Sequence, residues 1–205
     1  MDVQDVQLVL ASQSPRRQAL LAQLGLRFRV CPADVVEIAR PGEPPADYAG
    51  RIALAKARAG AARSGADLPV LGADTDVVLD GRILGKPVSR AHALELLQQL
   101  SDRPHEVYSA VALVHQNREA VRVSVTQVWM GPIAPEQAEA YWASGEPADK
   151  AGAYGIQGLG AVFVREIRGS YSGVVGLPLY ETCALLREFG IDVLAPNVSR
   201  AGSAR

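Results

Sequence analysis

Three carboxylates, a hydroxyl and an ammonium fall along one short stretch, Gly-Ala-Asp-Thr-Asp-Val-Val-Leu-Asp-Gly-Arg-Ile-Leu-Gly-Lys-Pro at residues 72–87. Asp74, Thr75, Asp76 and Lys86 are residue types that handle phosphates and hard divalent cations. The apolar run Pro69-Val70-Leu71 enters Gly72 as a buried strand does just before its end, and Val77-Val78-Leu79 resumes the strand. Asp80-Gly81 is the strongest two-residue hairpin signal, and Arg82-Ile83-Leu84 returns towards Lys86. Small residues beside Asp74 and Asp76 let a ligand approach the backbone closely. Such a hairpin is a rigid platform for a site, and it is equally what a surface hairpin of solvated charges looks like.

Other stretches carry related chemistry. Ser12-Gln13-Ser14-Pro15-Arg16-Arg17 follows a short apolar run, residues 8–11. Ser14 suits a helix N-cap and Pro15 the first helical position, so free backbone N–H groups, the helix dipole and two guanidinium groups could bind an anion. A capped helix with solvated arginines reads the same way. Asp34-Val35-Val36-Glu37 offers carboxylates at a strand end, and Lys56 projects beside the packed face of an alanine-rich helix. Residues 144–158, with four glycines among charges and no periodicity, suit a binding loop.

These groups have to be positioned by elements that the pattern supplies. Leu20, Leu21 and Leu24 recur at helical spacing before Gly25, and Leu26, Phe28 and Val30 alternate as a half-buried strand. Residues 47–63 read as a helix capped by Asp47, with Ile52, Ala55, Ala59 and Ala62 as its packed face. Ser89 caps a helix through Leu94, Leu96, Leu97 and Leu100, and residues 107–114 and 121–129 form a hairpin about Gln116-Asn117-Arg118. Pro135 opens a short helix bearing Tyr141 and Trp142. A strand over 161–167, a turn over 169–173 and a last helix ending at Gly190 complete the chain. Interleaved strands and helices predict an α/β or α+β fold around a mixed sheet, as one domain over residues 1–195 with a disordered tail over 196–205. The loops at 12–17, 34–37, 72–76 and 144–158 should converge on a cleft.

Several function classes are disfavoured. The 205 residues carry 21 Lys and Arg against 22 Asp and Glu, a net charge of −1, so no bulk basicity argues for nucleic acid or a membrane surface. No apolar stretch approaches a spanning helix, and the acidic first residues show no signal-peptide pattern, which together predict a soluble cytoplasmic protein. His92, His105 and His115 lack ligand or triad spacing, and there is no glycine–lysine phosphate loop. Gly155, Gly158 and Gly160 are in the wrong order and context for a dinucleotide fingerprint. Cys31 and Cys183 lack metal spacing and read as reduced core residues.

Ser-Gln-Ser-Pro-Arg-Arg (12–17), Gly-Ala-Asp-Thr (72–75), Gly-Lys-Pro (85–87), the whole 144–158 segment and Val-Val-Gly-Leu-Pro-Leu (174–179) together resemble the Maf family of nucleoside triphosphate pyrophosphatases. That family is similar in fold to the inosine triphosphate pyrophosphatases. The resemblance implies an α/β protein with a central mixed sheet flanked by helices and a deep nucleotide cleft. It also implies a homodimer that hydrolyses a nucleoside triphosphate to the monophosphate and pyrophosphate with Mg²⁺ or Mn²⁺. Asp74 matches the family's proton acceptor, Lys56 and Lys86 its phosphate-binding lysines, and Ser12 with the 14–17 helix start, including Arg17, its phosphate contacts. An aspartate near its ordinary pKa of about 3.9 is a weak base, so metal-lowered water acidity or a raised carboxyl pKa has to help. Arg16, Thr75 and Gln157 match the members acting on dTTP and UTP, and an amide with a hydroxyl can read the O4 and N3–H edge of uracil or thymine. Nucleotide binding that regulates cell division, with incidental hydrolysis, and the same chemistry on a modified nucleotide are the alternatives the resemblance leaves. The chain departs from the family pattern at two positions. Val36 stands where an acidic residue is usual, leaving Glu37 with Asp74 as the suggested metal ligands. Asp76 stands where an apolar residue is usual, either adding a metal ligand or pointing to solvent.

Overall fold

The computed structural model describes residues 6–65 and 67–194. In chain order its elements are β1 (Leu8–Leu10), α1 (Pro15–Gln23), β2 (Phe28–Val30), α2 (Pro45–Ser64), β3 (Val70–Leu79) and β4 (Arg82–Leu84). There follow α3 (Arg90–Leu100), β5 (Pro104–His115), β6 (Arg118–Met130), α4 (Pro135–Ala143), β7 (Val164–Arg168), α5 (Tyr171–Val175) and α6 (Leu179–Glu188). The mixed sheet runs β2-β1-β3-β5-β6-β7, parallel from β2 to β3 and antiparallel beyond, with β4 added to β3. The expected tail lies outside the described residues.

β3 is one uninterrupted ten-residue strand, so the break expected at Gly72 does not occur. Its edge explains why a site forms there. β1 pairs with it at Val70 and Leu71, and β4 only from Val77 onward, so residues 72–76 are registered on the β5 edge alone. The other edge faces the loop that leaves the carboxyl end of β1, where open α/β sheets place their ligands. Gly72 serves packing instead of ligand approach: a Cβ there would collide with Ala53 O and Ala57 N of α2.

α2 lies on one face of the sheet through a seam of Ala49, Ala53 and Ala57 against Ala110 and Ala112. The helix starts at Pro45, with Pro44 at the N-cap and no side-chain cap, so Asp47 is a first-turn acid favourable to the dipole and not the cap. The buried stripe also differs from the expected one. Ala55 and Ala59 are only half-buried and Ala62 is exposed, while Ala53, Lys56, Ala57 and Gly60 are buried. Alanine at nearly every turn leaves the hydrophobic period ambiguous, and the face is chosen by how closely the backbone can approach β3. On the opposite face, Leu20 and Leu21 of α1 and Leu185 and Leu186 of α6 pack on Leu10, Leu71 and Leu113. α3 and α4 close the far end over Leu79, Val107 and Met130.

The Asp80-Gly81 hairpin forms with φ +50° and +74°, and the β5–β6 hairpin turns as expected. Two later expectations change. The strand expected over 161–167 forms only from Val164, as β7, and residues 159–163 are a 3-10 turn whose Leu159 and Gly160 N–H groups donate to the Glu146 carboxylate. Residues 171–175 form α5, capped by Ser170 accepting from Gly173 N at 3.0 Å, where a turn was expected. Cys31 and Cys183 are unpaired and half-buried, too exposed to be core residues.

His105, 3% exposed, meets Tyr154 Oη at 2.8 Å, and burial pushes its pKa down from 6.5 to about 4. As pH falls from 6.5 towards 4 the unfolded chain gains a proton that the folded one refuses, so stability is full above 6.5 and lost within that window. The free energy of unfolding, measured relative to His105→Leu at each pH, should drop by about 2 kcal/mol between pH 7 and pH 5. A pH-independent difference would exclude this.

Candidate active site

The loop after β1 and the start of α1 build one wall of the site. Ser14 accepts from Arg17 N at 3.5 Å and Pro15 opens the helix, as its sequence requires. Ser12 is buried, and its hydroxyl accepts from Ser14 N at 3.2 Å and from Arg17 Nη1 at 3.5 Å. Arg17 also donates Nε–H to Gly176 O at 2.8 Å and Nη2 to Thr75 Oγ1 at 3.3 Å. Thr75 is therefore part of the brace on Arg17, helped by Ser109 Oγ at 3.3 Å. Arg16 reaches the other way, to Asp149 Oδ2 at 3.2 Å.

On the α2 side of β3 lies a carboxylate centre. Strand alternation turns Asp74 and Asp76 to the same face and Thr75 to the opposite one. Lys56 Nζ, buried, bridges Asp74 Oδ1 at 2.7 Å and Glu37 Oε1 at 2.6 Å. Burial tends to raise the Glu37 pKa, but the Lys56 hydrogen bond and charge, with Lys86 and Arg17, hold it below the usual range. Asp76 is the reverse case. At 9% exposure, burial first and the Asp74 charge second push its pKa from 3.8 up to about 8. Its Oδ2 is buried without a hydrogen-bond partner. Asp76 does not point to solvent, which removes one of its two readings, whereas Val36 is 75% exposed.

The third wall is the long loop. Asp149, Lys150, Tyr154, Gly155, Ile156, Gln157 and Gly158 line the cavity together with Gly85 and Lys86. The cleft has a volume of about 790 Å³, of the size that holds a small organic molecule. The four expected loops do converge, and every candidate residue lines this one cavity: Ser12, Arg16, Arg17, Glu37, Lys56, Asp74, Thr75, Lys86 and Gln157. Glu37 comes from the loop after β2, not from a strand end. Lys56 belongs to the buried face of α2, not beside it.

Tyr48, buried in α2, also lines the cavity and is missing from the sequence reading. Its signal was available, since Tyr48, Ile52 and Lys56 follow at i, i+4 and i+8 on one helical stripe. Gly176, whose carbonyl anchors Arg17, had no such signal because the contact joins positions far apart in the chain.

Chemically, the centre presents oxygen donors and cations but no thiolate or imidazole. Among the described residues no three His, Cys, Asp or Glu side chains form a ready-made cage for a metal. Among them, too, no helix is long and apolar enough to cross a membrane.

Comparison with known proteins adds a separate line of observation. The Maf-like protein family matches residues 7–189. A dTTP/UTP pyrophosphatase of Methylococcus capsulatus is 51% identical over 191 residues, 93% of this chain and 95% of that one. A dTTP/UTP pyrophosphatase of Nitrosomonas europaea is 52% identical over 198 residues, 91% and 96% of the two chains. A nucleoside-triphosphatase, dITP/XTP pyrophosphatase, of Mycobacterium abscessus covers 89% of this chain and 95% of its own at 20% identity, with a TM-score of 0.45.

Proposed function

The chain belongs to the Maf family, and from that premise we propose that it hydrolyses dTTP and UTP to the monophosphate and pyrophosphate. The observation that carries the reading is the Glu37–Lys56–Asp74 centre facing Arg17 and Lys86 in a single cavity. It combines a carboxylate base with cations on both sides, which suits in-line attack on a polyphosphate.

In this reading water attacks the α-phosphorus, the bond from that phosphorus to the α–β bridging oxygen breaks, and pyrophosphate leaves. Asp74 orients the water and takes its proton. Ser12, Arg17 and the first N–H groups of α1 bind phosphate oxygens, Arg17 being already aimed by Gly176 and Thr75. Lys56 and Lys86 offset the charge that develops on the transferred group and on pyrophosphate. Gln157 reads the O4 and N3–H edge of the base, while Arg16 adds charge at the mouth.

The residues fit a Mg²⁺ or Mn²⁺ ion, because the buried, unpartnered Asp76 Oδ2 lies beside Asp74 in an all-oxygen setting. Asp74 and Asp76 would hold it, with Glu37 able to join only by giving up its Lys56 contact, and when bound it supplies charge neutralisation and a more acidic water. A homodimer is part of the proposal and is checked by sedimentation.

The test is pyrophosphate release with Mg²⁺ across dTTP, UTP, CTP, GTP, ATP and 7-methyl-GTP. We expect kcat/KM for dTTP and UTP to exceed the others by about tenfold or more. Binding of dTTP and UTP without turnover would replace the enzyme by a nucleotide-binding regulator. Turnover of a different nucleotide would keep the chemistry and discard the reading of Arg16, Thr75 and Gln157 as marks of dTTP and UTP specificity.

A further inference from the structure

One carboxylate outside the cavity organises the loop that lines it. Glu146 Oε1 accepts from Tyr141 Oη at 2.7 Å and from Gly160 N at 3.1 Å, and its Oε2 accepts from Leu159 N at 2.8 Å. Burial tends to raise its pKa, but the Tyr141 hydroxyl and the two backbone N–H groups hold it below the usual range. Tyr141 Oη also accepts from Gly155 N at 3.0 Å, and its ring packs edge-on to Phe163 with centroids 5.4 Å apart. Lys150 Nζ donates back to Glu146 O at 2.5 Å and to Asp149 Oδ1 at 2.7 Å. The two ends of the loop are thus tied together by one side chain, and residues 149–151 and 154–158 between them line the cavity. Gly158 is needed for this closure, since a Cβ there would collide with the Glu146 carboxylate.

We propose that Glu146 is a positioning residue for base recognition. By clamping both ends of the loop it holds Gln157 at a fixed place on the cavity wall, and so sets which base edge binds. Ordering a recognition group before the ligand arrives lowers the entropy cost of binding and leaves the chemical step to Asp74. This inference rests on the reading of Gln157 as the contact to a pyrimidine O4 and N3–H edge.

The experiment is a double-mutant cycle with Glu146→Gln, Gln157→Ala and the pair, measuring KM and kcat for dTTP, UTP and CTP. An amide nitrogen cannot accept a hydrogen bond, so Glu146→Gln loses the acceptor at one of its two positions while keeping its shape. KM for dTTP and UTP should rise about tenfold in each single variant with kcat within about threefold. The pair should be no worse than the weaker-binding single variant, because the two residues act through one contact. Exchange of the Leu159 and Gly160 amide protons should quicken in Glu146→Gln. Tyr141→Phe, which removes one donor to the carboxylate and the acceptor for Gly155 N, should shift KM the same way, and it carries the test if Glu146→Gln does not fold. Multiplying KM effects, or a fall in kcat at unchanged KM, would overturn the clamp while leaving Gln157 in place. An unchanged KM in Gln157→Ala would remove the reading of Gln157, and the clamp's role in recognition with it.

Discussion

Asp74→Asn should lower kcat for dTTP by about 10³-fold, within the 10²–10⁴ that a positioned general base contributes, with KM altered no more than about threefold. The amide keeps the size of the carboxylate, and its oxygen can still accept from Lys56 Nζ, which lies 2.7 Å from Oδ1 in the native centre. What is lost is a site for the water's proton and one anionic ligand to the metal. The same change also removes the charge that helps push the Asp76 pKa up, so Asp76 ionises at lower pH in the variant. Its thermal midpoint near neutral pH should stay close to the wild-type value, since relief of Asp76 offsets the charge lost opposite Lys56, which keeps Glu37 as partner. An inactive and undiminished fold separates lost chemistry from lost structure. A kcat within tenfold of wild type would move the base elsewhere in the centre, with Glu37 the next carboxylate on Lys56.

What could be read from the residues alone divides along a physical line. Short-range signals were legible: Ser14 and Pro15 opening α1, Asp80-Gly81 closing the β3–β4 hairpin, and Ser89 capping α3 all act within a few residues. The convergence of the four loops was legible too, because each carried charge or glycine where a structural connection needs neither. Two matters were not. Gly72 looked like a strand end because its reason lies in α2, whose backbone approaches too closely for any Cβ. Reading β3 as broken there hid the alternation that puts Asp74 and Asp76 on one face and Thr75 on the other. Glu146, likewise, stands in a loop that reads as non-periodic, and its partners Leu159 and Gly160 are set by chain closure instead of spacing.

Asp76→Val should stabilise the metal-free protein by about 4 kcal/mol near pH 7. The argument is one of linkage. The folded-state pKa is about 8 against an ordinary 3.8, so below pH 3.8 the carboxyl is protonated in both states and carries no penalty. Between those values the unfolded chain ionises and the folded one does not, so stability falls as pH rises through that window and levels off above 8. The groups facing Asp76 fix the size of the effect: Asp74 on its own strand and Glu37 raise its pKa, and Lys56 of α2 lowers it. The free energy of unfolding in EDTA, compared between wild type and Asp76→Val from pH 4 to pH 8, should show a gap that opens with pH. A gap independent of pH would mean that Asp76 is ionised in the fold at ordinary cost. Saturating Mg²⁺ should narrow the gap, since a cation at the unpartnered Oδ2 favours the ionised form. Mn²⁺ affinity should fall about tenfold in the variant, and an unchanged affinity would rule out ligation by Asp76. A carboxylate that weakens the fold in EDTA and strengthens metal binding is one whose burial is offset only when the site is loaded, which is how a functional group differs from a structural one.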